Sequence, residues 1–184
     1  GYTERFTHAE RREYLAKLRA QNPEIRFWPR HKRDEYYATL FIEPEGPRNR
    51  IAIGYDMYTE PTRRYAMELA RDTGLPAVSG GVQLVQNVIH NSALGFLIYV
   101  PVYKQGTFRS TVESRRKNLQ GFVYSPFRAA DLFNLVLRDY LNPNEPSHVD
   151  IEVFDGNTFD SSKVLFNSDG KPYEANPSGL RQII

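Results

Sequence analysis

The residues Ile53-Gly54-Tyr55-Asp56 are followed by a helix that begins at Pro61 and ends at Gly74, and this stretch decides how the chain is interpreted. The pattern predicts an acidic side chain at the end of a strand, immediately before a helix. Thr59 or Glu60 would cap that helix, proline suits its first position, and glycine suits a left-handed C-cap. The stretch therefore predicts a carboxylate held at a fixed place in the fold.

Two further predicted strands, Pro76–Gln83 and Gly95–Tyr103, would form the walls of a small cavity around Asp56. The second is almost continuously apolar, which predicts a central strand buried on both faces. A carboxylate in an apolar cavity must be hydrogen-bonded or paired, and a small ligand with N–H groups can supply those bonds. The residues alone also allow a purely structural role, in which Asp56 bonds to backbone N–H groups or pairs with Arg63 or Arg64.

The helix that follows Asp56 is predicted to be amphipathic, with one face packed against the core. Its predicted buried residues are Tyr65, Ala66, Leu69 and Ala70, and its predicted outer residues are Arg63, Arg64, Glu68 and Arg71.

Composition narrows the class of protein. A chain of 184 residues with 40% hydrophobic and 13% aromatic residues is globular. The 24 Lys and Arg residues nearly balance the 22 Asp and Glu residues, which argues against a dedicated nucleic-acid binder. The chain has no cysteine, so disulfides and thiolate metal sites are excluded. The longest apolar run, Ala93–Tyr103, is too short to span a bilayer and contains Pro101.

Residue patterns typical of catalysis are weak. The four histidines have no partner at metal-ligand spacing, which argues against a zinc site. Ser79-Gly80-Gly81 lacks the arrangement of a nucleophile elbow, and no glycine-rich loop carries the lysine of a P-loop. We therefore predict a binding domain that is not an enzyme, with no metal and no cofactor.

The two ends of the chain predict further units. A helix over Thr7–Gln21 begins with capping-box spacing and is stopped by Asn22-Pro23. Its apolar stripe of Tyr14, Leu15 and Leu18 can pack on the domain or on a second copy of the chain. After Pro126, a helix and the strands around Val149–Val153 and Lys163–Phe166 predict a second, smaller α+β unit.

Six motifs in this order resemble the CHASE domain, the extracytoplasmic sensor of cytokinin receptors and of many bacterial histidine kinases and diguanylate cyclases. The motifs are Gly54-Tyr55-Asp56, Arg63-Arg64, the helix end Ala70-Arg71-Asp72-Thr73-Gly74, Leu97-Ile98-Tyr99-Val100-Pro101-Val102-Tyr103, Gly121-Phe122-Val123-Tyr124-Ser125-Pro126-Phe127-Arg128, and the upstream Phe27-Trp28-Pro29 with Arg33-Asp34-Glu35-Tyr36. The likeness is strongest over residues 5–140.

The resemblance implies an α+β architecture of a stalk helix and two PAS-like subdomains. In this chain the stalk helix would cover residues 1–22, the membrane-distal ligand-binding unit residues 23–125, and the membrane-proximal unit residues 126–184. The N-terminal helix would support a homodimer. The parent protein would be anchored in the inner membrane, with this part in the periplasm or outside the cell.

The resemblance also implies a ligand site in the distal unit. Asp56 would be the polar anchor, and a backbone group near Val78 would contribute a second bond. The wall positions would be Tyr55, Gly80, Gly81, Phe96, Ile98 and Phe122. The implied ligand is a small molecule, adenine-like or another small polar organic compound. Gly81-Val82 stands where the plant receptors carry Pro-Phe, so the pocket shape should differ from theirs.

These observations favour a ligand-sensing domain that passes its signal to an output domain such as a diguanylate cyclase or a histidine kinase. Three alternatives stay open. The first is an enzyme that uses Asp56 with a histidine, the second a periplasmic protein-interaction module without a small ligand, and the third a nucleic-acid binder that uses Arg115-Arg116-Lys117.

Overall fold

The structure, a computed structural model, describes residues 1–87, 94–140 and 150–171, and these form an α+β fold. The predicted α+β class is therefore confirmed, and the two PAS-like subdomains stay a prediction. The strands are β1 (Tyr2–Thr7), β2 (Glu35–Phe41), β3 (Ala77–Val78), β4 (Gly95–Tyr103), β5 (Leu119–Arg128), β6 (Glu152–Phe154) and β7 (Val164–Asn167). The helices are α1 (Arg11–Gln21), α2 (Pro47–Arg50), α3 (Pro61–Thr73), α4 (Val112–Asn118) and α5 (Ala129–Leu137).

Strands β1 to β5 form an antiparallel sheet in the order β2-β1-β5-β4-β3, and β6 pairs with β7 in a separate hairpin. One face of the large sheet carries the larger hydrophobic cluster, and the other face carries a smaller one that includes Phe6 and Tyr36. The largest fully buried side chains of the larger cluster include Tyr37, Tyr99, Phe122 and Tyr124, which pack against Met67 of α3 and its neighbours. The site described below lies at the edge of this larger cluster.

The first 22 residues are not a continuous helix. Tyr2–Thr7 is a strand between β2 and β5, and only Arg11–Gln21 is helical. Thr3 is buried beside Phe122 on one face of the sheet and Phe6 beside Tyr36 on the other, and this short strand lies before the capping signal at Thr7. The predicted helix end at Asn22 is confirmed.

Helix α1 packs on its own domain. Leu18 is buried in a cluster with Phe6, Phe27 and Tyr36, and Tyr14 stacks on Phe6 with ring centroids 4.5 Å apart. Of the two roles predicted for the apolar stripe of this helix, packing within the chain is therefore the one observed.

The predicted caps of α3 are confirmed. The Glu60 carboxylate accepts hydrogen bonds from the backbone N–H groups of Thr62 and Arg63, Pro61 opens the helix, and Gly74 ends it with φ of 76°.

The structure confirms Ala66 and Ala70 on the buried face of α3 and corrects the prediction for Tyr65 and Leu69. Tyr65 is 71% exposed and Leu69 is 44% exposed, whereas Arg63 is only 3% exposed. The buried positions 63, 66, 67 and 70 follow helical spacing. Relative to the prediction, the helix is rotated about its axis so that its buried face includes Arg63. Apolarity alone could not predict this rotation, because it assigned every arginine to solvent.

Strand β4 is buried on one face only, which corrects the prediction of burial on both. Leu97 and Tyr99 face the core, while Val100 on the other face is 40% exposed. An antiparallel sheet needs only one covered face, so an apolar run does not prove a doubly covered strand. Two other predicted strands are shorter than expected. Only Trp28 of Ile25–Trp28 forms a bridge, and only Ala77–Val78 of Pro76–Gln83 is a strand.

A network of charges ties α4 to the end of α3. The Asp72 carboxylate accepts from Arg71 Nε at 2.7 Å and from Arg116 Nη2 at 2.5 Å, and its backbone oxygen accepts from Arg115 Nε at 2.8 Å. The hydrogen bond from Arg116, together with Arg71, holds the pKa of Asp72 well below its usual range.

Acid is expected to weaken this contact. In the unfolded chain, Asp72 takes up a proton at about pH 3.9. In the folded chain it takes up that proton only at lower pH. The unfolded state therefore binds more protons in this range, and the free energy of unfolding falls as the pH drops. The loss should be about 1 kcal/mol, because the pair is partly exposed. Urea unfolding of the Asp72→Asn variant should show a weaker dependence on pH in this range than wild type. The matched control is Asp131→Asn, since Asp131 pairs with Arg128 on the surface. An unchanged pH dependence in Asp72→Asn would contradict the assignment.

Candidate functional site

The Gly54-Tyr55-Asp56 segment is fixed between Trp28 and strand β2. Trp28 N donates to Gly54 O at 3.0 Å, and Asp56 N donates to Trp28 O at 2.9 Å. On the other side, Gly54 N donates to Thr39 O at 2.8 Å. Backbone bonds on both sides therefore set the directions of the Tyr55 and Asp56 side chains.

The Asp56 side chain is fully buried and bonded to its own chain. Its Oδ1 accepts from the backbone N–H groups of Tyr37 at 3.0 Å and Tyr58 at 3.1 Å. Its Oδ2 accepts from Arg33 Nε at 2.9 Å. Burial raises the pKa of Asp56, and these hydrogen bonds and the charge of Arg33 offset part of that rise. In the predicted structural role, Asp56 bonds to backbone N–H groups or pairs with Arg63 or Arg64. The backbone bonds are observed, but the paired arginine is Arg33.

A cavity of about 360 Å³ lies beside the first turn of α3. Two predicted site residues, Tyr55 and Gly81, line it, and Asp56 does not. The other lining residues are Trp28, Glu60, Arg63, Val82, Gln83, Val85 and Leu94. The volume is at the lower end of the range typical of small-molecule sites.

Arg63 is the charged group buried at this cavity. Its Nη1 donates to Tyr55 Oη at 3.0 Å and its Nη2 to Gln83 O at 2.7 Å. The buried Nε has no hydrogen-bond partner, and no carboxylate within the described ranges lies within 4.0 Å of the guanidinium. Sequence reasoning missed this residue, because helical periodicity placed it on the outer face.

Aromatic rings form one side of the cavity. The rings of Trp28 and Tyr55 are 4.5 Å apart between centroids, and the Arg63 guanidinium carbon lies 5.3 Å from the Tyr55 ring centre. The Phe27-Trp28-Pro29 motif is visible in the sequence, but no local pattern connects Trp28 with Tyr55, twenty-seven positions later.

The remaining predicted site residues lie in different places. Phe122 is fully buried in the core between Tyr37 and Tyr99. Phe96, Ile98 and Val78 share the opposite face of the sheet, where Phe96 stacks on Phe127 and Val78 is 57% exposed. Successive strand residues point to opposite faces, so the side chains of Phe96 and Ile98 lie across the sheet from the core residues Leu97 and Tyr99.

Gly80 and Gly81 contact the β6–β7 hairpin. Gly81 N donates to Asp155 Oδ2 at 2.8 Å. A Cβ at Gly80 would lie 2.8 Å from the same oxygen, and one at Gly81 would lie 2.9 Å from Leu165. The loop that lines the cavity is therefore also in contact with the C-terminal hairpin.

A second depression, of about 460 Å³, lies between β1 and Lys104-Gln105. Three of its charged side chains have partners in the chain, since Arg5 pairs with Glu35, Glu10 accepts from Thr7, and Glu4 accepts from Tyr14 Oη. Groups that are already satisfied have little to gain from a ligand. This depression is the weaker candidate for a site.

The described residues offer no further class of site. No group of three or more His, Cys, Asp or Glu side chains is arranged to hold a metal ion there. None of the helices in that part of the chain has the length and apolar character needed to cross a membrane. His90 and His148 lie outside the described residues.

The fold and the cavity define an α+β domain with a hollow of ligand size beside α3. Comparison with family models matches residues 1–166 to the CHASE domain, so the chain belongs to the CHASE family of signal-sensing domains. Among curated proteins, it is similar to hybrid signal transduction histidine kinase A of Dictyostelium discoideum, with 28% identity over 158 residues. That match covers 84% of this chain and 7% of the relative.

Proposed function

We propose that this chain is the extracytoplasmic ligand-sensing domain of a transmembrane signalling receptor, with its ligand bound in the cavity beside α3. The cavity between Trp28, Tyr55 and the buried Arg63 carries the proposal. The parent would be anchored in the inner membrane, would hold this domain in the periplasm, and would end in a histidine kinase or diguanylate cyclase. Family membership and the similarity to a hybrid histidine kinase support that role.

A panel of compounds tests ligand binding directly. Thermal unfolding would be followed with adenine derivatives, the L-amino acids and small dicarboxylic acids added singly. A compound that binds at one hundred times its dissociation constant should add about 2.7 kcal/mol of stability. The gain should be lost in Trp28→Ala, which removes one aromatic wall, and kept in Phe108→Ala, an exposed aromatic residue outside the cavity. The proposal fails if no compound stabilises the wild type, or if Trp28→Ala, with its fold intact, responds as strongly.

Asp56 has two possible roles in this proposal. As a direct anchor, it would offer a ligand the remaining acceptor capacity of Oδ2, which already binds Arg33. As a positioning group, it would hold the Tyr55 segment that lines the cavity. An Asp56→Asn variant that remains folded separates the two roles. If Asp56 is a direct anchor, the ligand no longer stabilises this variant; if Asp56 is a positioning group, the ligand still does.

Signal transfer is proposed to run through Gly81 into the β6–β7 hairpin. Gly81 lines the cavity and donates to Asp155, so a ligand that moves this loop also moves the hairpin. The predicted PAS-like units over residues 23–125 and 126–184 would then shift relative to each other. A ligand shifts such an equilibrium only by its different affinity for the two states.

Removing the Asp155 carboxylate should uncouple the hairpin from the cavity. In Asp155→Ala, the panel compound that stabilises wild type most should still bind, but hydrogen–deuterium exchange of β6 and β7 should no longer respond to it. Asn157→Ala, an exposed position in the same turn, is the matched control and should respond like wild type. Equal hairpin protection in Asp155→Ala and wild type would rule out this route.

A homodimer through the N-terminal helix is a further part of the proposal. Because Leu18 and Tyr14 pack inside the domain, the contact between copies would use the outer face of α1. Sedimentation equilibrium would test it, with a dimer that dissociates when charges are introduced at exposed positions of α1 as the expected result. A monomer at all concentrations would contradict it.

One observation favours the alternative of a protein-interaction module. Val78, Val100 and Val123 leave an exposed apolar area on the outer face of the sheet. Such areas often mark contact surfaces. A signalling defect caused by Val123→Lys, with the response of the panel compounds unchanged, would support a protein contact there.

A further inference from the structure

We infer that the cavity beside α3 takes a zwitterionic α-amino acid, with its carboxylate on Arg63 and its ammonium group on Glu60. The inference rests on the proposed function, because it names the chemical class of ligand for the same cavity.

Arg63 supplies the reason for an anionic group. A guanidinium has five N–H donors, and among the described residues Arg63 uses two of them, one to Tyr55 Oη and one to Gln83 O. Both acceptors are neutral, and the residue is 3% exposed. A buried charge without a counter-ion is costly, and planar guanidinium groups pair best with carboxylates. The cavity is the space beside Arg63 in which such a carboxylate can lie.

The first turn of α3 does not itself offer free donors for that anion. The N–H groups of Thr62 and Arg63 are taken by the Glu60 carboxylate at 3.0 and 2.8 Å. The favourable site for a negative group is therefore the Arg63 side chain, and not the helix terminus.

Glu60 supplies the reason for a cationic group. Its side chain lines the same cavity, and Glu60 is the N-cap of α3, three residues before Arg63. Each carboxylate oxygen accepts one backbone N–H and retains a second lone pair. The Glu60 carboxylate would repel a simple anion. A ligand that carries an ammonium group next to its carboxylate would instead pair with Glu60.

The rest of the lining suits a compact apolar side chain. Trp28 and Tyr55 offer aromatic faces, which also attract ammonium groups, and Val82, Val85 and Leu94 offer aliphatic surface. A volume of about 360 Å³ favours a single amino acid over a longer peptide. Apolar and aromatic amino acids are therefore the expected ligands.

Calorimetric titration of the wild-type domain with the L-amino acids is the first test. At least one apolar or aromatic amino acid should bind. Its N-acetyl derivative, which lacks the ammonium group, and its amide, which lacks the carboxylate, should each bind at least about 30-fold more weakly. Equal binding of either derivative would overturn the inference.

Variants assign the two charges to residues. Arg63→Lys keeps the charge but loses the planar fork, and should weaken binding about 10-fold. Arg64→Lys, the exposed neighbour on the same helix, should leave it unchanged. Glu60→Gln keeps an oxygen for the helix cap but removes the negative charge. It should therefore weaken binding of the amino acid but leave binding of its des-amino analogue unchanged.

The outcomes also separate this inference from the proposed function. If adenine derivatives or dicarboxylic acids bind and no amino acid does, the inference fails and the sensing role stands. If no compound of the panel binds, both fail. Since the derivative comparison uses wild-type protein alone, it decides the question even where an Arg63 variant does not fold.

Discussion

Replacing Asp56 with alanine is expected to lower the free energy of unfolding by about 3–5 kcal/mol. The change leaves the partly buried Arg33 guanidinium without its carboxylate and removes the acceptor from the N–H groups of Tyr37 and Tyr58. A buried donor that loses its acceptor incurs its full desolvation cost. Urea unfolding followed by far-ultraviolet circular dichroism measures the effect.

Two comparisons show whether the loss comes from this pair. Asp34→Ala, at an exposed position, should change stability by less than about 0.5 kcal/mol. A double-mutant cycle with Arg33→Met should give a clear interaction energy, because the two side chains are in direct contact at 2.9 Å. A loss below about 1 kcal/mol in Asp56→Ala would mean that the carboxylate is not a structural centre.

Gly54→Ala is expected to be about as damaging, with a loss of more than about 3 kcal/mol. Gly54 has φ of 82°, a conformation that side chains disfavour, and a Cβ there would lie 2.3 Å from Arg26 O. The backbone would have to move, and it is held by bonds to Trp28 and Thr39. Thermal unfolding of the variant measures the cost.

Gly106→Ala is the matched control for this change. Gly106 has φ of 71°, and a Cβ there would meet no atom within 4 Å, so its substitution costs only the conformational penalty of about 1 kcal/mol. The difference between the two variants isolates the contact with Arg26. Equal losses would show that the close approach costs nothing.

Local signals made parts of the fold predictable. Glu60, Pro61 and Gly74 act through bonds within a few residues of themselves, so the bounds of α3 could be predicted from sequence. Which face of α3 is buried depends on partners far along the chain. Arg63 is buried because Tyr55 and Gln83 O accept from it, and no periodicity reports such partners.

The candidate site was predictable to a similar degree. The resemblance pointed to Tyr55 and Gly81, and both line the cavity. It could not assign strand faces, and Phe96 and Ile98 lie on the far side of the sheet because their neighbours Leu97 and Tyr99 fill the core. The meeting of Trp28 with Tyr55 and Arg63 depends on tertiary contacts that no local pattern contains.

These residues suggest how a sensing role would depend on the motif at residues 53–56. Gly54 permits the sharp approach to Arg26, Asp56 fixes the segment to β2, and Tyr55 between them reaches the cavity and accepts from Arg63. Stability and ligand binding would therefore share one short segment. Variants at Gly54 and Asp56 should lose both, whereas variants at Trp28 should lose chiefly binding.

The fluorescence of Trp28 shows whether a ligand occupies the cavity beside α3, because Trp28 is the single tryptophan of the chain and it lines that cavity. The panel compound that raises the unfolding temperature most would be titrated while the indole emission is recorded. We expect a saturable change in emission with the same dissociation constant that calorimetry gives. A compound that binds and stabilises the domain while the Trp28 emission stays unchanged would place the ligand elsewhere and contradict the proposed sensing site.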